Sequence, residues 1–216
     1  MKQNKLMKDI CNIIGVTGGV GAGKSTVLDY IAKNYNCIVI LADDVANTIK
    51  KKGYPAYDRL LEILGKDILA DDGEIDKNKM SAAIFRDAAL LEKVNNILHP
   101  AVNEYIIEII DRERSENTHD FVFVEAALLI ENGYKELVDE LWYVYASEDI
   151  RRSRLRASRG YSDEKITDIF RRQLGDDVFR KNADFVIDNG GSTGDMEEQI
   201  DNKIGEWKNN GKLRTT

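Results

Sequence analysis

Residues Gly18-Gly19-Val20-Gly21-Ala22-Gly23-Lys24-Ser25 decide the fold. They fill every fixed position of the pattern G-x-x-x-x-G-K-[ST], a loop whose backbone wraps phosphate oxygens. The flanks supply the context such a loop needs. Asn12-Ile13-Ile14-Gly15-Val16-Thr17 is an apolar run of strand length just before it. Val27-Leu28-Asp29-Tyr30-Ile31-Ala32 carries apolar residues at helical spacing just after it. The glycines permit a curl that Cβ atoms would forbid, turning successive N–H groups inward. A helix starting near Lys24 adds the positive end of its dipole. Lys24 is expected to reach the outer phosphates, and Ser25 to place its hydroxyl on Mg²⁺. An ordinary glycine turn before a helix does not require Lys-Ser at these offsets. A dinucleotide loop G-x-G-x-x-G fails on spacing, because Lys24 stands where its third glycine belongs.

Outward from the loop, strand-like and helical stretches alternate. Cys37 to Leu41, Phe121 to Val124, Leu141 to Tyr145 and Phe185 to Ile187 are continuous apolar runs, as buried parallel strands require. Asp43 or Asp44 is placed to cap a helix over Val45 to Lys52. Pro55 to about Leu64 reads as a helix stopped by Gly65, and Asp71-Asp72-Gly73 as a turn. Lys77 to about Arg114 is helical in pattern, with breaks expected near Asp87 and at His99-Pro100. Ile150 to Arg159, Asp163 to Gln173 and Met196 to Trp207 read as further helices. Strands alternating with helices imply parallel βαβ units. The expected fold is α/β: a three-layer α/β/α P-loop domain with a five-stranded parallel sheet. One domain spans 1–216. Within it, 10–52, 118–149 and 183–210 form the nucleotide-binding core, 53–117 a helical insert, and 150–182 a helical lid.

Composition bounds the function. The 216 residues carry a formal net charge of −7, which argues against a nucleic-acid or membrane-surface role. Neither cysteine, Cys11 or Cys37, has metal-type spacing, so a reducing cytoplasm is expected and Cys37 reads as a small core residue. No apolar stretch approaches the ~20 residues that cross a bilayer. Met1 to Asp9 reads as a short leader and Lys208 to Thr216 as a frayed end.

Phosphoryl transfer needs a metal, a positioned acceptor hydroxyl and cations on the developing charge. Asp43 follows the end of the second strand, the edge where open α/β sheets bind ligands, and is placed to orient or deprotonate a hydroxyl. Glu125 ends the third apolar run, where a carboxylate holds Mg²⁺ directly or through water. Arg151, Arg152, Arg154, Arg156 and Arg159 crowd nine residues, a density that asks for a polyanion such as a triphosphate. On a helix Arg152, Arg156 and Arg159 share a face, and one or two of the five are expected to matter. His99, in the insert, reads as structural on the residues alone, and His119 as a surface loop residue.

Taken together, these segments resemble the dephospho-CoA kinases. The likeness rests on Val16 to Thr26, Ala42-Asp43, Gly53 to Tyr57 and Leu98-His99-Pro100. It continues through Leu128-Leu129-Ile130-Glu131, Arg154-Leu155 with Arg159, Gln173, and Ala183 to Gly191. It implies transfer of the ATP γ-phosphoryl group to the 3′-hydroxyl of dephospho-CoA. It also implies that Gly18, Gly19, Val20, Gly21, Ala22, Gly23, Lys24, Ser25 and Thr26 cradle ATP, with Asn189 near the adenine. Lys24, Asp43, Arg154 and Arg159 would be catalytic. Ser25 and Glu125 would hold Mg²⁺. Asp43, His99 and Leu128 would border the acceptor. The implied enzyme is a cytoplasmic monomer or weak homo-oligomer. Departures fall on the acceptor side: Leu41-Ala42-Asp43 stands where the family has Asp-Ala-Asp. Asn47 replaces a common arginine, and Glu125-Ala126-Ala127-Leu128-Leu129 replaces Asp-x-Pro-Leu-Leu. Two other functions share the same core: a kinase for another nucleoside or nucleotide, and a nucleotide-binding regulator without turnover.

Overall fold

The computed structural model describes residues 11–85, 87–126, 129–130 and 137–209. The chain divides into two compact units, one made of residues up to Val39 and from Arg112 onward, the other of Ile40–Asp111. The first unit is built on the sheet. Its strands are β1 (Asn12–Thr17), β2 (Cys37–Leu41, whose last two residues fall in the second unit), β3 (Phe121–Glu125), β4 (Glu140–Tyr145) and β5 (Phe185–Asp188). They lie in the order β2-β3-β1-β4-β5, with β1 in the middle. β1 pairs in parallel with β3 on one side and β4 on the other, and β4 pairs in parallel with β5.

All six residues of β1 are buried, as a central strand covered on both faces must be. The strand order reverses across it, so its C-terminal end is a topological switch point, the place where doubly wound sheets leave a crevice. The loop 18–23 begins there. Helix α1 (Lys24–Asn34) returns along the sheet and buries Val27, Leu28 and Ile31. A ring cluster anchors the far side: Trp142 meets Phe123 at 5.5 Å and Phe185 at 5.2 Å, and Phe121 meets Trp207 at 5.5 Å. Fully burying each such side chain contributes about 1.5–3 kcal/mol. Cys37 joins the edge of this core half-buried, and burial pushes its thiol up to about 11, so it stays a protonated apolar filler.

The rest of this unit is helical cover. α6 (Glu148–Arg159) and α7 (Asp163–Arg171) pack on each other, α8 (Asp176–Asn182) lies against β4, and α9 (Thr193–Asn209) packs on α1 and β5. The sequence pattern merges α7 and its exit into one helix and misses α8. Tyr143 shows why α8 forms: its ring stacks on Phe179 at 4.8 Å and its hydroxyl donates to Asp176 at 2.9 Å, a tertiary partner that periodicity does not reveal.

The second unit contains α2 (Ala42–Thr48), α3 (Pro55–Leu64), a 3₁₀ turn over Lys66–Ile68, α4 (Lys77–Ile84) and most of α5 (Ala88–Glu116). Two expectations change here. α2 starts earlier than the apolar pattern suggests, and its N-cap is Leu41, so neither Asp43 nor Asp44 is a cap. Both lie in the first helical turn, where the dipole favours carboxylates. And α5 runs unbroken through Pro100. A proline inside a helix costs about 3 kcal/mol. The buried stripe Val94, Ile97, Val102, Ile106 and Ile110 outweighs that cost. Asp87 does mark the break between α4 and α5, and its carboxylate accepts from Leu90 N at 2.9 Å.

The phosphate cradle and the candidate acceptor residues

The loop after β1 is shaped by positions that tolerate no side chain. Gly18 has φ 151°, and a Cβ there would sit 2.5 Å from the Val144 carbonyl oxygen. Gly23 has φ 93°, and a Cβ there would strike the Asn189 amide nitrogen. A Cβ on Gly19 would strike the Arg151 guanidinium. Gly18 and Gly23 are therefore required by conformation as well as by close neighbours, whereas at Gly19 the end of the Arg151 side chain fills the space.

Those neighbours, with Lys24 and the chain's own amides, occupy the carbonyls of Gly18, Gly19, Val20, Ala22 and Gly23. Gly18 O accepts from Lys24 Nζ at 2.9 Å and Gly19 O from Ala22 N at 3.1 Å. Val20 O accepts from Arg151 Nε at 2.9 Å. Ala22 O accepts twice, from Asn189 Nδ2 at 2.8 Å and Arg154 Nη1 at 3.1 Å. Gly23 O takes the first helical bond, from Val27 N at 3.2 Å. With these carbonyls held by the protein, the loop amides other than Ala22 N remain for an anion. Those of Lys24, Ser25 and Thr26 open α1 and have no acceptor within the helix. The cradle fits phosphate oxygens, and a Cβ at Gly18 or Gly23 would spoil it.

The Lys24 ammonium lies 3.4 Å from Glu125 Oε1, and both side chains are largely buried. Ser25 stands exposed at the head of α1. Among the described residues no three His, Cys, Asp or Glu side chains gather as a metal cage. A Mg²⁺ held mainly by phosphate oxygens and water needs no such cage, so one hydroxyl and one carboxylate suit it.

The arginine run sorts itself in three dimensions. Arg154 bridges the loop and Asn189, donating to Ala22 O and, at 2.7 Å, to Asn189 O. Arg151, which the spacing did not single out, holds Val20 O and donates to Gln173 Oε1 at 2.5 Å. Its guanidinium lies 4.2 Å from the centroid of the Phe170 ring. Burial holds that guanidinium below its ordinary range, a cost that an anion in the cradle would reduce. Arg152 and Arg156 are engaged with Glu148 and Asp163. Arg159 is exposed at the end of α6, 5.9 Å from the Tyr161 ring centroid. Helical phase could have flagged Arg151 with Arg154, since residues three apart share a face. Asn189, expected near the adenine, is buried with its amide committed to Ala22 O, a brace for the loop.

Asp43, Asn47 and His99 lie in the second unit, and all three are exposed. Leu128 lies outside the described residues, as do Ala127, Glu131 and the leader Met1 to Asp9. Within this unit the charge of Asp43 acts on Lys50, whose Nζ donates to Asn47 Oδ1 at 3.1 Å.

A parallel sheet in this order, with a braced glycine loop leading into a helix that carries Lys and Ser, defines a P-loop nucleotide-binding protein of the small-molecule kinase type. The dephospho-CoA kinase family model matches residues 12–195. A dephospho-CoA kinase of Carboxydothermus hydrogenoformans is 37% identical over 196 residues, 91% of this chain and 94% of that protein. The chain belongs to the dephospho-CoA kinase family. A solved structure from Thermus thermophilus superposes with a TM-score of 0.74 at 27% identity, covering 91% of this chain and 98% of that one. The Campylobacter jejuni dephospho-CoA kinase shares the fold with a TM-score of 0.63 at 22% identity, over 90% of this chain and 96% of its own. No helix of the described residues is long and apolar enough to cross a membrane.

Proposed function

We infer that this chain transfers the γ-phosphoryl group of ATP to the 3′-hydroxyl of dephospho-CoA, the activity of the family to which it belongs. The observation that carries the inference is the cradle: loop carbonyls held by Lys24, Arg151, Arg154 and Asn189, with amides left to bind phosphate. Lys24 moves from Gly18 O and Glu125 to the outer phosphates, where its charge offsets what develops in transfer. Arg154 and Arg151 hold the loop and add positive potential beside it. Arg159, exposed at the end of α6, reaches ATP only if the lid shifts. Ser25 and Glu125 would hold Mg²⁺, which when bound neutralises phosphate charge. Asp43 orients the acceptor hydroxyl and takes its proton. His99 and Leu128 border the acceptor, and Asn189 reaches the nucleotide through the loop it braces.

Residues 10–52, 118–149 and 183–210 serve as the nucleotide core, 53–117 as the acceptor insert and 150–182 as the lid. The enzyme works as a monomer or weak homo-oligomer. The sparse cysteine usage, Cys11 and Cys37 without metal-type spacing, supports a cytoplasmic setting.

The test is ADP release with purified protein, ATP and Mg²⁺, with and without dephospho-CoA, following the product by mass. Acceptor-dependent ADP together with one added phosphate mass is the expected result. Asp43→Asn should lower kcat by about 100- to 10,000-fold while ATP still binds. Unchanged turnover would remove Asp43 from this role. Thermal stabilisation by ATP without turnover would replace the kinase reading by a nucleotide-binding regulator.

A further inference from the structure

The second unit holds a cavity of about 570 Å³ that no residue of the cradle lines. One wall is cationic: Lys50, Lys51 and Lys77 face it, joined by Asn47. The floor is apolar, formed by Ile75, Met80 and Ile84. Its one acid is Glu74, and that carboxylate accepts from Lys52 N at 3.1 Å. Among the described residues none of the three lysines is in an ion pair. Lys50 is half-buried, and its Nζ donates to the neutral Asn47 amide oxygen. Three ammonium groups gathered around a single lining carboxylate repel one another. Burial, and then the Lys77 charge, hold the Lys50 ammonium below its ordinary range, and Asp43 acts in the opposite sense. An anion in the cavity would relieve both costs. Phosphate oxygens suit compact ammonium point charges, and an apolar floor beside them suits a ligand that also carries an uncharged chain.

We propose that this cavity is a diphosphate subsite, with Lys50 as its central cation and Lys51 and Lys77 beside it, and that it seats the diphosphate of the acceptor. The assignment rests on the acceptor named above. Since Asp43 acts electrostatically on Lys50 within the same unit, the subsite would fix the acceptor near the carboxylate that receives its hydroxyl proton. Lys50, Lys51 and Lys77 are then specificity-determining residues: they select acceptors that carry a diphosphate over plain nucleosides.

Two measurements test it. The first is steady-state kinetics of Lys50→Ala, Lys50→Arg and Lys50→Ala/Lys77→Ala. Lys50→Ala should raise the acceptor KM about tenfold or more, with kcat and the ATP KM within about twofold. The double variant should raise it further, and Lys50→Arg should recover most of the loss. An unchanged acceptor KM in the double variant overturns the proposal. The second is calorimetric titration of inorganic pyrophosphate into the full chain carrying Lys24→Ala, which weakens the cradle as a competing site. Binding there, lost on adding Lys50→Ala/Lys77→Ala, is expected; binding that survives those changes, or no binding at millimolar pyrophosphate, overturns the proposal. If wild-type protein turns over no dephospho-CoA, the kinase reading has failed by itself, and the pyrophosphate titration still decides the subsite.

Discussion

The phosphate cradle and the lysine-walled cavity both handle anions, by opposite means. In the cradle the backbone does the binding. Side chains from α1 and α6 hold the carbonyls of Gly18, Val20 and Ala22, so the amides need no rearrangement when phosphate arrives. In the cavity the side chains do the binding, from flexible lysines on α2's exit and α4 around an apolar floor. The first arrangement suits a ligand part that never varies, because fixed dipoles recognise one geometry at little reorganisation cost. The second suits a larger ligand whose charged and uncharged parts must be seated together. It also explains how departures from a family pattern can collect at Leu41 and Asn47 while the loop 18–25 keeps every required position.

The strongest way to break this comparison is Lys24→Ala. If the cradle supplies the transition-state charge, kcat should fall about 100- to 1,000-fold with the acceptor KM little changed, measured by coupled ADP release. A loss confined to acceptor KM would put the catalytic charge elsewhere. Next is Gly23→Ala, which meets both a positive φ and the Asn189 side chain. It should cost about 1–3 kcal/mol through strain and displaced bracing, read as a lower Tm and weaker ATP stabilisation in thermal unfolding.

A smaller effect separates the arginines. Arg154→Ala removes two bonds to backbone carbonyls and should raise the ATP KM by roughly tenfold. Arg159→Ala, at an exposed site, should change it less than about twofold. Equal effects would mean that the lid closes further when ATP binds, bringing Arg159 in.

The smallest effect concerns stability away from either anion site. Glu113 is buried, with Thr118 Oγ1 donating to its carboxylate at 2.8 Å and His119 Nδ1 2.7 Å away. The His119 bond holds its carboxyl below the ordinary range; burial opposes this and the Thr118 bond assists it. A carboxyl that titrates lower in the folded state stabilises fully above the unfolded value of about 4.3 and loses that contribution as pH falls through its folded value. Glu113→Gln should therefore lower Tm by about 2–4 °C at neutral pH, with the difference shrinking in acid and kcat unchanged. The surface loop reading of His119 misses this role, since nothing in its neighbours signals a buried partner six residues back on α5.

Much was legible in the chain alone. The glycine motif, the apolar runs and the turn residues determined a five-stranded parallel sheet and a phosphate loop, and the strands begin and end within about one residue of the pattern. These signals are local: backbone conformation and apolar periodicity act within a few residues. What only the tertiary structure decided is which side chains meet across long separations. Arg151 on Val20 O and Asn189 on Ala22 O join positions 131 and 167 residues apart. The buried stripe that carries α5 through Pro100, and the gathering of Lys50 with Lys77, depend likewise on packing between elements. Burial and electrostatics sum over neighbours in space, and neighbours in space are what a linear pattern leaves out.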